Sequence, residues 1–250
     1  MLRNYLIIFP LVFVAGFIDA VAGGGGLVSL PAYMLTGIPV HQCVATNKMS
    51  AFMGTSVAAA KYAKSGFIPW KIAIMCIPCA LTGSALGAKG ALMVPDRIFK
   101  LVMLIVIPLT GAYILTRKNG VVSKKRPSLR TTTLLSMLIS FFIGVYDGFY
   151  GPGTGTFLIL LLTGIAGMEL SEANGLTKAI NLSTNVAALV VFLINSQVIF
   201  PLGVIAGLFN IAGNYLGAAG FEKKGRKLVK PVMLLVLFVF LIKILTEVFT

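Results

Sequence analysis

The sequence is short of charge, and of acid above all. Only 11% of its 250 residues are charged, with seven Asp and Glu against twenty-one Lys and Arg. A soluble domain of this length carries roughly a quarter charged residues, so an ordinary soluble fold is excluded. There is one histidine, His41, one tryptophan, Trp70, and three cysteines, Cys43, Cys76 and Cys79. With no carboxylate cluster beside them these make no metal centre, and the cysteines make no disulfide framework. Cofactor motifs are missing as well. Gly23 to Gly26 lacks the Gly-Lys-Ser/Thr ending of a phosphate loop and the strand context of a dinucleotide fingerprint. No cofactor and no catalytic constellation are expected.

What is present is apolar. Hydrophobic residues make up 58% of the chain, and the mean hydropathy is +0.97. Apolar segments run over 4–22, 27–38, 43–63, 70–93, 98–116, 132–149, 155–167, 174–194, 198–220 and 228–249, with short polar joints between them. Most reach the roughly 20 residues that cross a hydrocarbon core. The pattern predicts an all-α integral membrane protein, a polytopic helical bundle of roughly 8–10 membrane segments. It belongs in the lipid bilayer of a cell inner or plasma membrane. Met1 to Asn4 before a long apolar run resembles a signal peptide, but Asp19 and glycines stand where a small-residue cleavage site belongs. It reads as a retained first span. The net charge of +14 is scattered among spans instead of gathered in a stripe, so no nucleic-acid partner is expected. The basic residues hold loops on the cytoplasmic side.

Two glycine-rich breaks interrupt the apolar runs. The first is Gly16-Phe17-Ile18-Asp19-Ala20-Val21-Ala22-Gly23-Gly24-Gly25-Gly26, and the second runs from Gly144 to Thr154. At an offset of 128, Gly16, Asp19, Gly23 and Gly25 fall on Gly144, Asp147, Gly151 and Gly153. Lys48 matches Lys178 at an offset of 130, as Gly83 and Gly87 match Gly213 and Gly217. The chain is thus a duplicated unit: a first transmembrane repeat over 1–116, a basic cytoplasmic linker over 117–131, and a second repeat over 132–250. Five segments per repeat is an odd number and makes the repeats inverted. If the short segments after each break do not cross, the number is four and the repeats are parallel. Those short segments read as half-helices or re-entrant arms, because broken backbone at membrane depth must be buried in protein or line a cavity.

The candidate site residues gather at the breaks. Asp19 and Asp147 read in two ways: as proton carriers, since burial disfavours the charged carboxylate, or as acceptors for backbone N–H groups freed by the break. Lys48 and Lys178, with Thr46, Asn47, Ser50, Thr177 and Asn181 beside them, supply donors to an anion at the positive end of a half-helix. The amides of Gly24, Gly25 and Gly153 and the hydroxyl of Thr154 complete that set. The plainer reading of either lysine is snorkelling at a helix end. Gly83, Gly87, Gly213 and Gly217 read as close helix packing, and such small-residue faces also permit a homodimer. Asn181, Asn185, Asn210 and Asn214 are costly in a bilayer and read as bonding across helices, with Asn185 and Asn214 also able to line a path. Trp70 and Tyr62 read as interfacial anchors, and His41 as a solvated loop residue. Cys76-Ile77-Pro78-Cys79 resembles a redox motif, but the matching positions in the second repeat are Ala206 and Phe209, so packing cysteines explain it better.

The first break, Pro31 after it, the Ala45-Thr46-Asn47-Lys48 block and the second-half stretch Gly148-Phe149-Tyr150-Gly151-Pro152-Gly153-Thr154-Gly155-Thr156 together resemble the TauE/SafE family of membrane permeases. The likeness covers nearly the whole chain. It implies a secondary transporter of small sulfur-containing anions, such as sulfite or sulfonates, and an exporter. Thr46, Asn47, Lys48, Thr177, Lys178 and Asn181 match the motif blocks and inherit a role near the substrate path. Thr154 stands where the first half has Gly26, and Pro152 where it has Gly24, so the half-sites need not bind alike. A thiol-redox carrier using Cys76 and Cys79, or a passive anion channel, are the alternatives.

Overall fold

A computed structural model describes residues 2–99 and 127–219, with positions 101, 102, 105, 109 and 238. The segments expected at 98–116 and 228–249, most of the 117–131 linker and the basic cluster from Lys223 to Lys230 lie largely or wholly outside the described residues. Eight helices are described: α1 (Leu2–Ala22), α2 (Gly26–Met34), α3 (Val40–Lys64), α4 (Trp70–Met93), α5 (Leu129–Phe149), α6 (Thr154–Gly164), α7 (Leu170–Ile194) and α8 (Phe200–Ala219). No strand occurs among the described residues.

The ends of the helices follow from their residues. Helix α1 stops where Gly23 takes φ +71°, and α5 stops before Gly151 at φ +94° and Gly153 at φ +86°. These are backbone angles that a side chain resists and glycine accepts. Pro39 and Pro69 immediately precede α3 and α4, and Ser128 caps α5 by accepting from the Thr131 N–H at 3.2 Å. The short α2 and α6 therefore begin as separate helices at the glycines.

Helices α1, α4, α5, α7 and α8 are long and apolar enough to cross a membrane. Helix α3 is as long as α7 but far more polar, with Thr46, Asn47, Lys48, Ser50 and Thr55 all buried. It packs against α7 and α8, so its polar side chains meet protein. Leu6, Ile74, Met93, Phe142, Ile194 and Leu208 stand exposed on the outside. A large apolar exterior around a polar centre is the inverse of a soluble protein and suits a lipid solvent.

The tightest packing joins the two halves of the chain. Helix α4 lies along α5, and α1 along α8. A Cβ at Gly83 or Gly87 would fall 2.3 Å from the Phe141 carbonyl oxygen or 2.0 Å from that of Val145. At Gly213 and Gly217 it would fall 2.1 Å and 2.6 Å from the carbonyl oxygens of Phe13 and Phe17. All four glycines are thus packing positions within one chain. Their contacts lie within the chain and say nothing of a homodimer.

Two local expectations are corrected. Tyr62 is buried, not interfacial, and donates its hydroxyl to the Ala20 carbonyl at 3.2 Å. Trp70, 52% exposed at the start of α4, keeps the position of an anchor. His41 lies in the first turn of α3, where its Nδ1 sits 2.5 Å from Asp96 Oδ1 and its Nε2 2.9 Å from the Ala91 carbonyl. Asp96 also accepts from the Val40 N–H at 3.4 Å. An acid from the helical stretch 96–99 therefore caps α3, a favourable place for negative charge. Cys76 and Cys79 are free thiols on α4, the first buried, the second directed at the Met75 carbonyl at 3.6 Å.

The glycine contacts yield a test. Gly87→Ala and Gly213→Ala should each lower stability by about 2–3 kcal/mol, because the added methyl meets backbone. Gly164→Ala, with nothing within 4 Å, should stay within about 0.5 kcal/mol of the parent. Detergent melting curves read by size exclusion would separate the three.

Candidate functional site

The two breaks meet. The Thr156 N–H donates to the Gly23 carbonyl at 3.0 Å and its hydroxyl to the Ala22 carbonyl at 2.9 Å. A Cβ on Gly23 would lie 2.4 Å from the Gly155 carbonyl carbon, and one on Gly155 would lie 2.5 Å from the Gly23 Cα. Only glycine at both places lets the main chains cross this closely. Beside the crossing is a cavity of about 30 Å³. One water needs ~10–15 Å³ on this measure, so the space suits about two or three waters in the conformation seen.

Two lysines and two aspartates converge there, and they pair across the halves. Lys48 Nζ on α3 lies 2.6 Å from Asp147 Oδ2 on α5 and donates to Asn185 Oδ1 at 3.3 Å. Asp147 Oδ1 accepts from the Thr154 hydroxyl at 2.6 Å. Both charged side chains of this pair are 3% exposed. Lys178 on α7 is fully buried and donates to the main-chain carbonyl of Asp19 on α1. Its Nζ stands 3.6 Å from Asp19 Oδ2, which has no hydrogen bond and is 13% exposed at the side chain. Removing charge from water costs several kcal/mol per ion unless it is paired and hydrogen-bonded. The first pair meets that condition fully, the second through a backbone carbonyl.

The expected site residues divide by position. Asp19, Gly25, Asn47, Lys48, Asp147, Gly153, Thr154 and Asn181 line the cavity. Gly24, Thr46, Ser50, Thr177 and Lys178 are buried nearby but do not line it. Thr46 accepts from the Ile199 N–H at 3.1 Å and so holds the start of α8. Ser50 donates to the Asn47 carbonyl and accepts from the Tyr33 hydroxyl, both at 3.0 Å. Thr177 Oγ1 is buried without a partner. Asn214 also stays out of the wall and donates to Asn210 Oδ1 at 2.6 Å. Thr55, Ser29 and Asn210 line the cavity although the sequence did not mark them for it. Their only signal was polarity on apolar helices.

The cavity gathers one buried lysine, two aspartates and several neutral polar groups. Lys48 supplies a charged donor, Asn47, Asn181, Asn185 and Thr154 supply neutral polar groups, and the first-turn N–H groups of Leu27, Val28, Ser29, Thr154, Thr156 and Phe157 are taken by carbonyls of the breaks. Among the described residues no group of three His, Cys, Asp or Glu could hold a metal ion.

Broken helices around a buried polar cavity, in a bundle with an apolar exterior, define the class of a polytopic membrane transporter. Sequence comparison identifies which one. The Sulfite exporter TauE/SafE family matches residues 8–244, and the chain belongs to it. It is 34% identical to the probable membrane transporter protein ORF9 of Sinorhizobium sp, over 96% of this chain and 92% of that one. It is 33% identical to a probable membrane transporter protein of Haemophilus influenzae, over 96% and 94%. With the probable membrane transporter protein YfcA of Escherichia coli K12 it shares 28% identity, over 96% and 89%. No solved structure matches the chain.

The buried pair yields the second test. Lys48→Met strands the Asp147 charge and should cost about 3 kcal/mol of stability in detergent melts. Adding Asp147→Asn removes the stranded charge, and the double variant should recover at least half of that loss.

Proposed function

We propose that this chain is a secondary transporter of small anions, sulfur oxyanions such as sulfite and the sulfonates foremost, coupled to protons and working as an exporter in the cell inner or plasma membrane. The observation that carries the reading is Lys48, buried in the wall of a cavity between two helix breaks and held there by an aspartate of the other half. An anion that enters meets a cation already desolvated and oriented. The family supplies the sulfur chemistry, since tetrahedral and pyramidal sulfur oxyanions offer several acceptors to lysine, amide and hydroxyl donors.

The repeats are read as inverted, with access alternating around the cavity. Phe13 and Phe17 meet the glycines of α8 as Phe141 and Val145, at an offset of 128, meet those of α4. This exchange of partners supports two equivalent units related by a pseudo-two-fold axis, in which α2 and α6 are the re-entrant arms. Rocking of one unit against the other would open the cavity to either side. The thiol-redox reading gains nothing from two free cysteines on one helix, of which Cys79 faces a backbone carbonyl.

The test is flux into proteoliposomes, with sulfite, thiosulfate, sulfoacetate, taurine, lactate and phosphate compared at two pH values. Saturable flux for the sulfur oxyanions is expected, faster when a proton gradient runs with the anion. In Lys48→Ala the flux should fall at least about 100-fold, the order expected when a buried charged contact worth roughly 3 kcal/mol is lost. A folded protein that moves none of these anions would end this reading.

A further inference from the structure

The two lysine–aspartate pairs occupy matching places in the duplicated sequence, yet they are built differently. Lys48 contacts Asp147 through the carboxylate alone, at 2.6 Å, and both side chains line the cavity. Lys178 is anchored on the main-chain carbonyl of Asp19 and lies outside the cavity wall. That carbonyl also accepts from the Gly23 N–H at 2.9 Å. The Lys178 contact therefore persists whatever the charge on the Asp19 side chain. It holds the C-terminal end of α1, where a cation is favoured by the helix dipole. The Lys48–Asp147 contact, by contrast, loses its ionic attraction once Asp147 is neutral.

We propose that Lys48–Asp147 is the exchanging pair and Lys178–Asp19 a fixed clamp, so that one proton on Asp147 accompanies each monovalent anion on Lys48. This rests on the transporter reading above and specifies its coupling. Before binding, Lys48 and Asp147 carry one positive and one negative charge and sum to zero. An anion added to that pair would leave one negative charge uncompensated in a desolvated site. If the Asp147 carboxylate takes a proton from water on the side where the anion enters, the pair separates. The anion then receives the Lys48 ammonium, and the sum stays at zero. Release reverses the step: the anion leaves, the carboxylic acid returns its proton to water on the far side, and the pair re-forms.

The groups facing Asp147 are consistent with this exchange. Lys48 comes from α3 and Asp19 from α1, while α2, α4, α6 and α8 bring no charged side chain to the cavity. Lys178 of α7 stands behind Asp19. On its own helix the neighbouring Tyr146 hydroxyl donates to the Pro152 carbonyl at 2.6 Å. Thr154 bonds the carboxyl oxygen opposite the lysine and can keep that oxygen in place when the other takes a proton.

The experiment measures labelled anion and internal pH together in proteoliposomes, with a monovalent sulfonate such as taurine's deaminated analogue isethionate, and with the membrane potential set by potassium and valinomycin. The parent protein should move one proton per anion, and its flux should not respond to the potential. In Asp147→Asn the ratio should fall to zero, and whatever flux remains should follow the potential. Asp147→Glu should restore a ratio of one. Asp19→Asn, whatever its rate, should keep a ratio of one. If Asp147→Asn does not fold, the parent arm decides alone, because a potential-dependent flux overturns the pairing of one proton with one anion. Proton accompaniment that survives Asp147→Asn, or that disappears in Asp19→Asn, also overturns it. A parent protein that transports no anion overturns the transporter reading itself.

Discussion

Everything in the centre of this protein depends on how four charges are buried in an apolar chain. Lys48, Asp147, Lys178 and Asp19 cannot be left single in such surroundings, where an unpaired ion costs several kcal/mol. Their partners are crossed: each lysine meets an aspartate from the other half of the chain. Neither half could bury its own lysine and aspartate in this way alone. The charges thus tie the halves together and fix their register, a use of buried ion pairs that owes more to specificity than to net stability.

Bringing the charges together demands backbone contact that few residues allow. Gly23 and Gly155 cross with their main chains touching, and Gly83, Gly87, Gly213 and Gly217 admit carbonyl oxygens of the neighbouring helix where a Cβ would sit. The break itself must not leave polar backbone unpaired at membrane depth. It is closed by Gly23 N–H to Asp19, by Thr156 to Gly23 and by the Tyr146 hydroxyl to Pro152. The glycines make the closeness possible, and these bonds make the break affordable in energy.

Much of this could be read from residue types, and the reason is that the apolar background is so uniform. Asp19, Asp147, Lys48 and the glycine runs stand out because each is costly there, and all four features lie at the cavity or its rim. Who pairs with whom was not legible. Lys48 and Asp147 are 99 residues apart, and spacing along a chain carries no information about a contact between helices of different halves. Hydroxyls misled for a related reason. Thr46 and Ser50 look like ligand donors in sequence, yet each is committed within the protein, Thr46 to the Ile199 amide and Ser50 to Asn47 and Tyr33. His41 looked solvated because its partner Asp96 is 55 residues away.

The halves are matched in sequence but not in chemistry around the cavity. Asn210 lines it, while the matching position at an offset of 130 is Ala80. A Cβ at Gly54 would lie 1.9 Å from Asn210 Oδ1, so Gly54 makes room for the asparagine, whereas its match Thr184 offers its carbonyl to Ser84 at 2.7 Å. One lobe therefore holds an asparagine pair where the other holds a compact hydroxyl contact. In a carrier of the proposed kind, identical halves would give inward and outward forms of equal energy. In such a carrier Asn210 and Asn214 in place of Ala80 and Ser84 would remove that equality, since Asn210 lines the cavity and Ala80 does not. Together with the unequal anchoring of the two lysines, this fits the proposed division in which one copy keeps α1 in place while the other changes partners.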